Sequence, residues 1–239
     1  MNSQTKKKFI WISLFAIAMG FLETSVVVYL RELYYPEGFT FPLVIIPNKI
    51  AVVEFWREIA TIIMLVGAGI IAGKTRLTRF AYFIIAFAIW DIFYYVFLYV
   101  LLLWPKSLFT WDILFLVPVP WTGPVIAPCL VSLGMILFGL IIIYFTERQI
   151  KIHIKKINWA ILLSGVAIIL ASFMWDYFKV TNESAQAGWS LTGEQALFEE
   201  IKTYVPVQFN WLLFIAGLWI CGAGMIITYR DFKKQLITQ

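Results

Sequence analysis

Residues 80–103 read FAYFIIAFAIWDIFYYVFLYVLLL, twenty-four positions of which all but Asp91 are apolar or aromatic. At ~1.5 Å per residue, a helix of that length crosses a hydrocarbon layer of ~30 Å. Working outward, five further apolar runs of comparable length occur at 9–30, 50–73, 124–146, 158–175 and 207–229. The run at 158–175, with 18 residues, is the shortest. Hydrophobic residues make up 62% of the 239-residue chain and charged residues 14%. Soluble domains average about 45–50% and about 25%, and a soluble fold of this size could not hide the difference. The expected fold is therefore all-α: one polytopic domain over residues 1–239 with six transmembrane helices.

Orientation follows from the basic residues, which accumulate in cytoplasmic loops. Thirteen of the 19 fall on the N-terminal side of the expected spans: Lys6, Lys7, Lys8, Lys74, Arg76, Arg79, Arg148, Lys151, Lys155, Lys156, Arg230, Lys233 and Lys234. The opposite side holds Arg31, Lys49, Lys106, Lys179 and Lys202, and Arg57 lies inside a span. Both termini are thus expected in the cytoplasm, with non-cytoplasmic loops at 31–49, 104–123 and 176–206. The formal charge of +5 is then a topology signal, and nucleic acid is not an expected partner. The expected location is a cell membrane, a bacterial inner membrane, with the lipid bilayer as the obligatory partner. Lys6 to Lys8 followed by Ala16-Ile17-Ala18 resemble a cleavable signal, but the apolar run continues to Leu30, so an uncleaved first helix is expected.

All nine prolines lie on the non-cytoplasmic side or at its boundary, while the cytoplasmic connections are short and proline-free. Elaborated loops carry function more often than short connectors, so the outer face is the expected working face. "FPLVIIP" at 41–47 is too short to span and too apolar for water, which suits the interface. Residues 104–128 contain a short apolar stretch broken by prolines and read as a partly re-entrant or surface-lying piece. In the longest loop, Thr192 and Gln195 have capping-box spacing, and Leu197, Ile201 and Tyr204 share a face, which predicts a short amphipathic surface helix.

The informative residues are ionisable groups that cannot be moved out of the bilayer. A second span starting after Glu58 would have about 15 residues, ~22 Å, too short to cross. A first span stopped before Glu23 fails in the same way. Counted from the outer ends of their runs, Glu23 and Arg57 lie seven residues in, Glu58 eight, Tyr94 and Tyr95 nine and eight, and Asp91 twelve. Glu54, Arg57, Glu58 and Thr61 form one stripe on the second helix, and Asp91, Tyr94 and Tyr95 share a face of the third.

A lone charge at the bilayer centre costs about 2.5–3.5 kcal/mol on insertion scales, so these groups are expected to meet. Glu23, Glu54, Glu58 and Asp91 then face a single guanidinium, Arg57. That surplus is satisfied by protonated carboxyls or by a bound proton, metal ion, cationic group or basic partner. Asp112 and Trp121, in the proline-rich outer segment, are expected at the rim of the same pocket. A plain helix-fastening ion pair at Arg57 is the bland alternative.

Other chemistry is poorly supplied. The one histidine, His153, lies among lysines, which excludes bis-His haem and argues against a His-rich zinc site. "VEFWREIAT", residues 53–61, is similar in composition to the first motif of intramembrane CAAX-type metalloproteases. It departs from that pattern, and the histidines those enzymes need on other helices are absent. No glycine-rich phosphate loop occurs, which argues against a nucleotide. Cys129 and Cys221 read as small buried apolar residues. Gly69 and Gly73 form a G-x-x-x-G packing motif of low specificity.

Three functions fit: binding or transport of a proton, cation or cationic solute; an intramembrane enzyme acting on a lipid-linked or lipophilic substrate through paired carboxylates or a divalent metal; and a non-catalytic subunit or assembly factor of a membrane complex. The acidic surplus favours the first.

Overall fold

The computed structural model describes residues 2–44, 46–115, 119–148, 152–179, 205–206 and 208–237. Among these, six helices are long and apolar enough to cross a membrane, the make-up of a multi-pass membrane protein. They are α1 (Ser3–Tyr34), α2 (Asn48–Ala72), α3 (Arg76–Leu102), α4 (Ile126–Thr146), α5 (Lys156–Phe173) and α6 (Trp211–Ile237). The amphipathic surface helix expected around 192–204 lies outside the described residues.

Polar groups set where the helices begin and end. Asn2 caps α1 by accepting from the Thr5 N–H at 2.8 Å. Thr75 and Thr78 form a reciprocal capping box at the start of α3, satisfying two donors the helix leaves open. Lys8 donates to the last carbonyl of α2, Ala72 O, at 2.6 Å, so a lysine of the basic N-terminus closes the end of another helix. Helix α3 ends where Leu103 takes a left-handed conformation (φ 51°) just before Trp104-Pro105.

The expected all-α character fails at one place, within the proline-rich segment before α4. Residues Trp111–Phe115 (β1) and Trp121–Pro124 (β2) pair as an antiparallel hairpin with a bulge between Ile113 and Phe115. The reason is local. Prolines in the connection remove helical donors, while Trp, Ile, Phe and Thr favour a pleated surface, and the two strands satisfy each other's backbone groups.

Helix α3 is the hub, packing against α1, α2 and α4, whereas α5 pairs with α6 and meets the rest through α4 and the hairpin. Lipid tails are as apolar as leucine, so helices associate through close contact of small residues rather than through apolar burial. Each neighbour of α3 offers a glycine at the crossing. A Cβ on Gly20 of α1 would lie 3.0 Å from Trp90 O, on Gly69 of α2 2.8 Å from Arg79 O, and on Gly139 of α4 2.6 Å from an Ile85 side-chain carbon. Ala81, Ile85, Ala86 and Ala88 of α3 are fully buried beneath these crossings. Trp11, Trp56, Ile71, Leu212 and Trp219 stand exposed on the outside of the bundle, an apolar surface suited to lipid.

Strict alternation of helix direction brings the starts of α1, α3 and α5 to the ends of α2, α4 and α6. The Asn2 N–H donates to Glu147 just past α4 (3.0 Å), and Lys155 and Asn158 hold Asp231 of α6 at 2.9 and 3.0 Å. Both described termini therefore share one end of the bundle. The hairpin, Arg31 and Trp104 lie at the other.

Candidate functional site

Helix α2 turns Glu54, Glu58, Thr61, Leu65 and Gly69 inward on one stripe, the spacing anticipated from the sequence. Arg57 lies at its edge, with a side chain 22% exposed. Its Nε donates to Glu54 Oε2 at 2.7 Å and its Nη1 to Glu23 Oε1 on α1. The Thr61 hydroxyl donates to the Arg57 carbonyl at 3.1 Å. Arg57 thus joins α1 to α2 by bridging two carboxylates, with Glu58 buried one turn further along the same stripe. Removing one partner of such a desolvated group costs ~3–5 kcal/mol, because the other charge stays behind.

Asp91 does not join that group. Its Oδ2 accepts a 2.7 Å hydrogen bond from the Ser132 hydroxyl of α4, a residue 1% exposed. The charge that acts on it is another carboxylate, Asp112. Tyr95 is buried on the same face of α3, four residues on, and its ring meets that of Tyr94 at 4.9 Å. Tyr94 feels both halves of the polar interior, Asp112 and Arg31 together with Glu23 and Arg57. Beside it the Thr24 hydroxyl of α1 donates to Gly20 O (2.9 Å) and Tyr94 O (3.1 Å), pinning the α1–α3 crossing.

A second guanidinium appears where the sequence reading placed an outer loop. Helix α1 runs through Arg31, which continues the buried stripe of Met19, Gly20 and Thr24. The Arg31 guanidinium lies 3.9 Å from the ring centroid of Trp104 and 4.6 Å from that of Phe39, with Nη2 3.5 Å from Asp112 Oδ1. The ion contact is longer than the ~2.7–2.9 Å of a strong charged hydrogen bond, so the aromatic sandwich does much of the holding.

Asp112, expected at an outer rim, is instead 2% exposed. Strand β1 alternates its side chains and sends this one inward between Arg31 and Tyr95. Burial pushes its carboxyl up to about 6, against the Arg31 charge, the Ile113 N–H and the Tyr95 hydroxyl, all of which favour the ionised form. Trp121 faces elsewhere. It stacks on Phe173 (6.3 Å, 18° between planes) in the aromatic cluster of Phe173, Phe209, Trp211 and Phe214, which seats the hairpin on α5 and α6.

The expected single layer is therefore two groups on either side of α3. One is Glu23–Arg57–Glu54 between α1 and α2. The other runs from Arg31 and Asp112 past Tyr95 to Asp91 and Ser132. Arg31, Ser132 and Thr24 were not singled out beforehand, although the seven-residue step from Thr24 to Arg31 is helical spacing along one face. With Arg31 and Asp112 included, five buried or half-buried carboxylates face two guanidinium groups. Among the described residues no three His, Cys, Asp or Glu side chains gather as a metal ion would need.

Comparison of the chain with family models, with curated proteins and with solved structures finds no match.

Proposed function

We propose that this protein is an integral membrane protein, both termini cytoplasmic and in a bacterial inner membrane, that binds or transports a proton, a cation or a cationic solute. The supporting observation is the setting of Asp91. A carboxyl midway along a membrane helix is expensive, and leucine would pack there at no such cost. It is held by a hydroxyl, and its electrostatic neighbour is a second carboxylate rather than an arginine. A carboxyl so placed is suited to exchange a proton or to meet a cation. Glu23, Glu54 and Glu58 add to the acidic surplus, Arg57 fixes two of them in place, and Tyr94 and Tyr95 supply hydroxyls beside it.

The test is flux in proteoliposomes under an imposed potential, with protons followed by an entrapped pH dye and Na⁺ or K⁺ by isotope uptake. Wild-type protein should conduct or take up one of these, and Asp91→Asn should abolish it while the protein still inserts and elutes as a single species. Unchanged flux in Asp91→Asn would overturn the proposal.

A further inference from the structure

The pairing with Arg31 leaves part of Asp112 unexplained. Its Oδ1 meets the guanidinium, but Oδ2, on a residue 2% exposed, has no hydrogen-bond partner among the described residues. An unsatisfied buried acceptor costs ~1–3 kcal/mol, more when charged, and in a native protein such an atom calls for a reason. A carboxylate whose only role was to fasten Arg31 would be expected to use both oxygens on the guanidinium fork, as bidentate pairs do.

The surroundings supply the reason. Asp112 is faced from α1 by Arg31, from α3 by Tyr95, Tyr94 and Asp91, and from its own hairpin by the Ile113 N–H. The Cys129 thiol of α4 lies beside Asp91 and Tyr95. Tyr95, itself buried, feels both Asp112 and Asp91. Asp91 is one turn before Tyr95 on α3, and long side chains on a helix lean toward the preceding turn. Beyond Asp91 the Ser132 hydroxyl continues the polar path into α4.

We infer that Asp112 is the outer proton acceptor of this protein, taking a proton at its unpartnered oxygen and passing it through the Tyr95 hydroxyl to Asp91. The inference rests on the proton-handling reading of Asp91. In the transfer, the Asp112 carboxyl gives its proton to the Tyr95 oxygen as Tyr95 gives its own to the Asp91 carboxylate. Tyr95 ends neutral, Asp112 ends as a carboxylate, and Asp91 becomes the acid. The Arg31 guanidinium, caged by Trp104 and Phe39, then faces an ionised Asp112 ready for the next proton.

The experiment is a pH jump on the full chain in nanodiscs, from about pH 8 to about pH 5, followed by infrared absorption of carboxyl C=O bands. Bands are assigned by their loss in Asp91→Asn and Asp112→Asn. Asp91 should protonate at least about a hundredfold more slowly in Asp112→Asn and in Tyr95→Phe than in wild type, the lower end of the range ascribed to a positioned proton-transfer group. Asp112→Glu, which keeps a carboxyl, should restore the fast phase and so separate relay from loss of the Arg31 contact. An Asp91 band that rises as fast in Asp112→Asn as in wild type overturns the inference, as does absence of any Asp112 band change across the jump. If Asp91→Asn still abolishes flux in that case, the proposed function stands and only this route fails.

Discussion

Arg31 lies one residue past the last apolar position of its run, and that position alone suggests a solvated loop. The helix does not stop with the apolar run, however. Helix α1 continues to Tyr34, and the stripe of Gly20, Thr24 and Arg31 carries the guanidinium under the hairpin against Trp104. A long cationic stem can cover apolar surface while its head finds partners, so an arginine at a run's edge is a poor marker of the boundary. Asp112 shows the same effect in a strand: the sequence identifies a carboxyl near the outer end, and only the pairing of Asp112 with Gly123 shows which way it points. Its carboxyl, raised from 3.8 to about 6, makes the folded state hold a proton that the unfolded chain releases. The stability this contributes is complete below about pH 4 and is lost as pH rises through about 6. The loss should be about 3 kcal/mol, at ~1.4 kcal/mol per unit of pKa. Thermal unfolding in detergent followed against pH should therefore fall across that window in wild type and fall less steeply in Asp112→Asn, where the other buried carboxyls still titrate. An identical slope in the two proteins would show that burial of Asp112 does not control it.

Helices and hairpin were legible to different degrees. Six apolar runs translated into six helices because length and hydropathy suffice to mark such a segment, and the ends moved by a few residues wherever a cap intervened. Thus α6 extends to Ile237, beyond its apolar run, since Asp231 bonds to Lys155 and Asn158 and Gln235 to His153. The hairpin was not anticipated, because four or five residues of Trp, Ile, Leu and Phe look alike in a short helix and a short strand. Helix packing gives the sharpest element-level expectation. Gly69 and Gly67 sit on the same helix two residues apart, yet only Gly69 touches α3, with Arg79 O and the Phe83 backbone within 2.9 Å of an added Cβ. Gly69→Ala should destabilise by roughly 1–3 kcal/mol, as overpacking does. Gly67→Ala, with open space around it, should be neutral or stabilise by up to roughly 1 kcal/mol through helix propensity. Melting temperatures of the two variants in the same detergent measure the difference, and equal values would mean that the contact at Gly69 does not limit side-chain size there.

At the scale of the whole molecule, the alternation of six helices places both described termini at the basic end and the hairpin with Arg31, Asp112 and Trp104 at the other. If lysine and arginine set the orientation, the hairpin end faces outward. In a background with Cys129→Ala and Cys221→Ala, Ser107→Cys should react in intact cells with a membrane-impermeant maleimide. Gln4→Cys and Lys233→Cys should react only after the membrane is opened. The reverse pattern, or labelling of one terminus alone, would refute the orientation. Chain-level properties of this kind are dictated by apolar length and by where the lysines fall, since backbone and charge must be reconciled with lipid whatever the packing. That Glu23, Glu54, Arg57, Glu58 and Asp91 form an acidic surplus follows equally from composition and depth. Which carboxyl meets which partner does not, because the outcome turns on a helix rotation of ~100° per residue and on hydrogen-bond distances of a few ångströms. Only the folded chain sends Glu23 and Glu54 to Arg57, turns Asp91 to Ser132, and brings Arg31 and Asp112 together across 81 residues of sequence at the hairpin end.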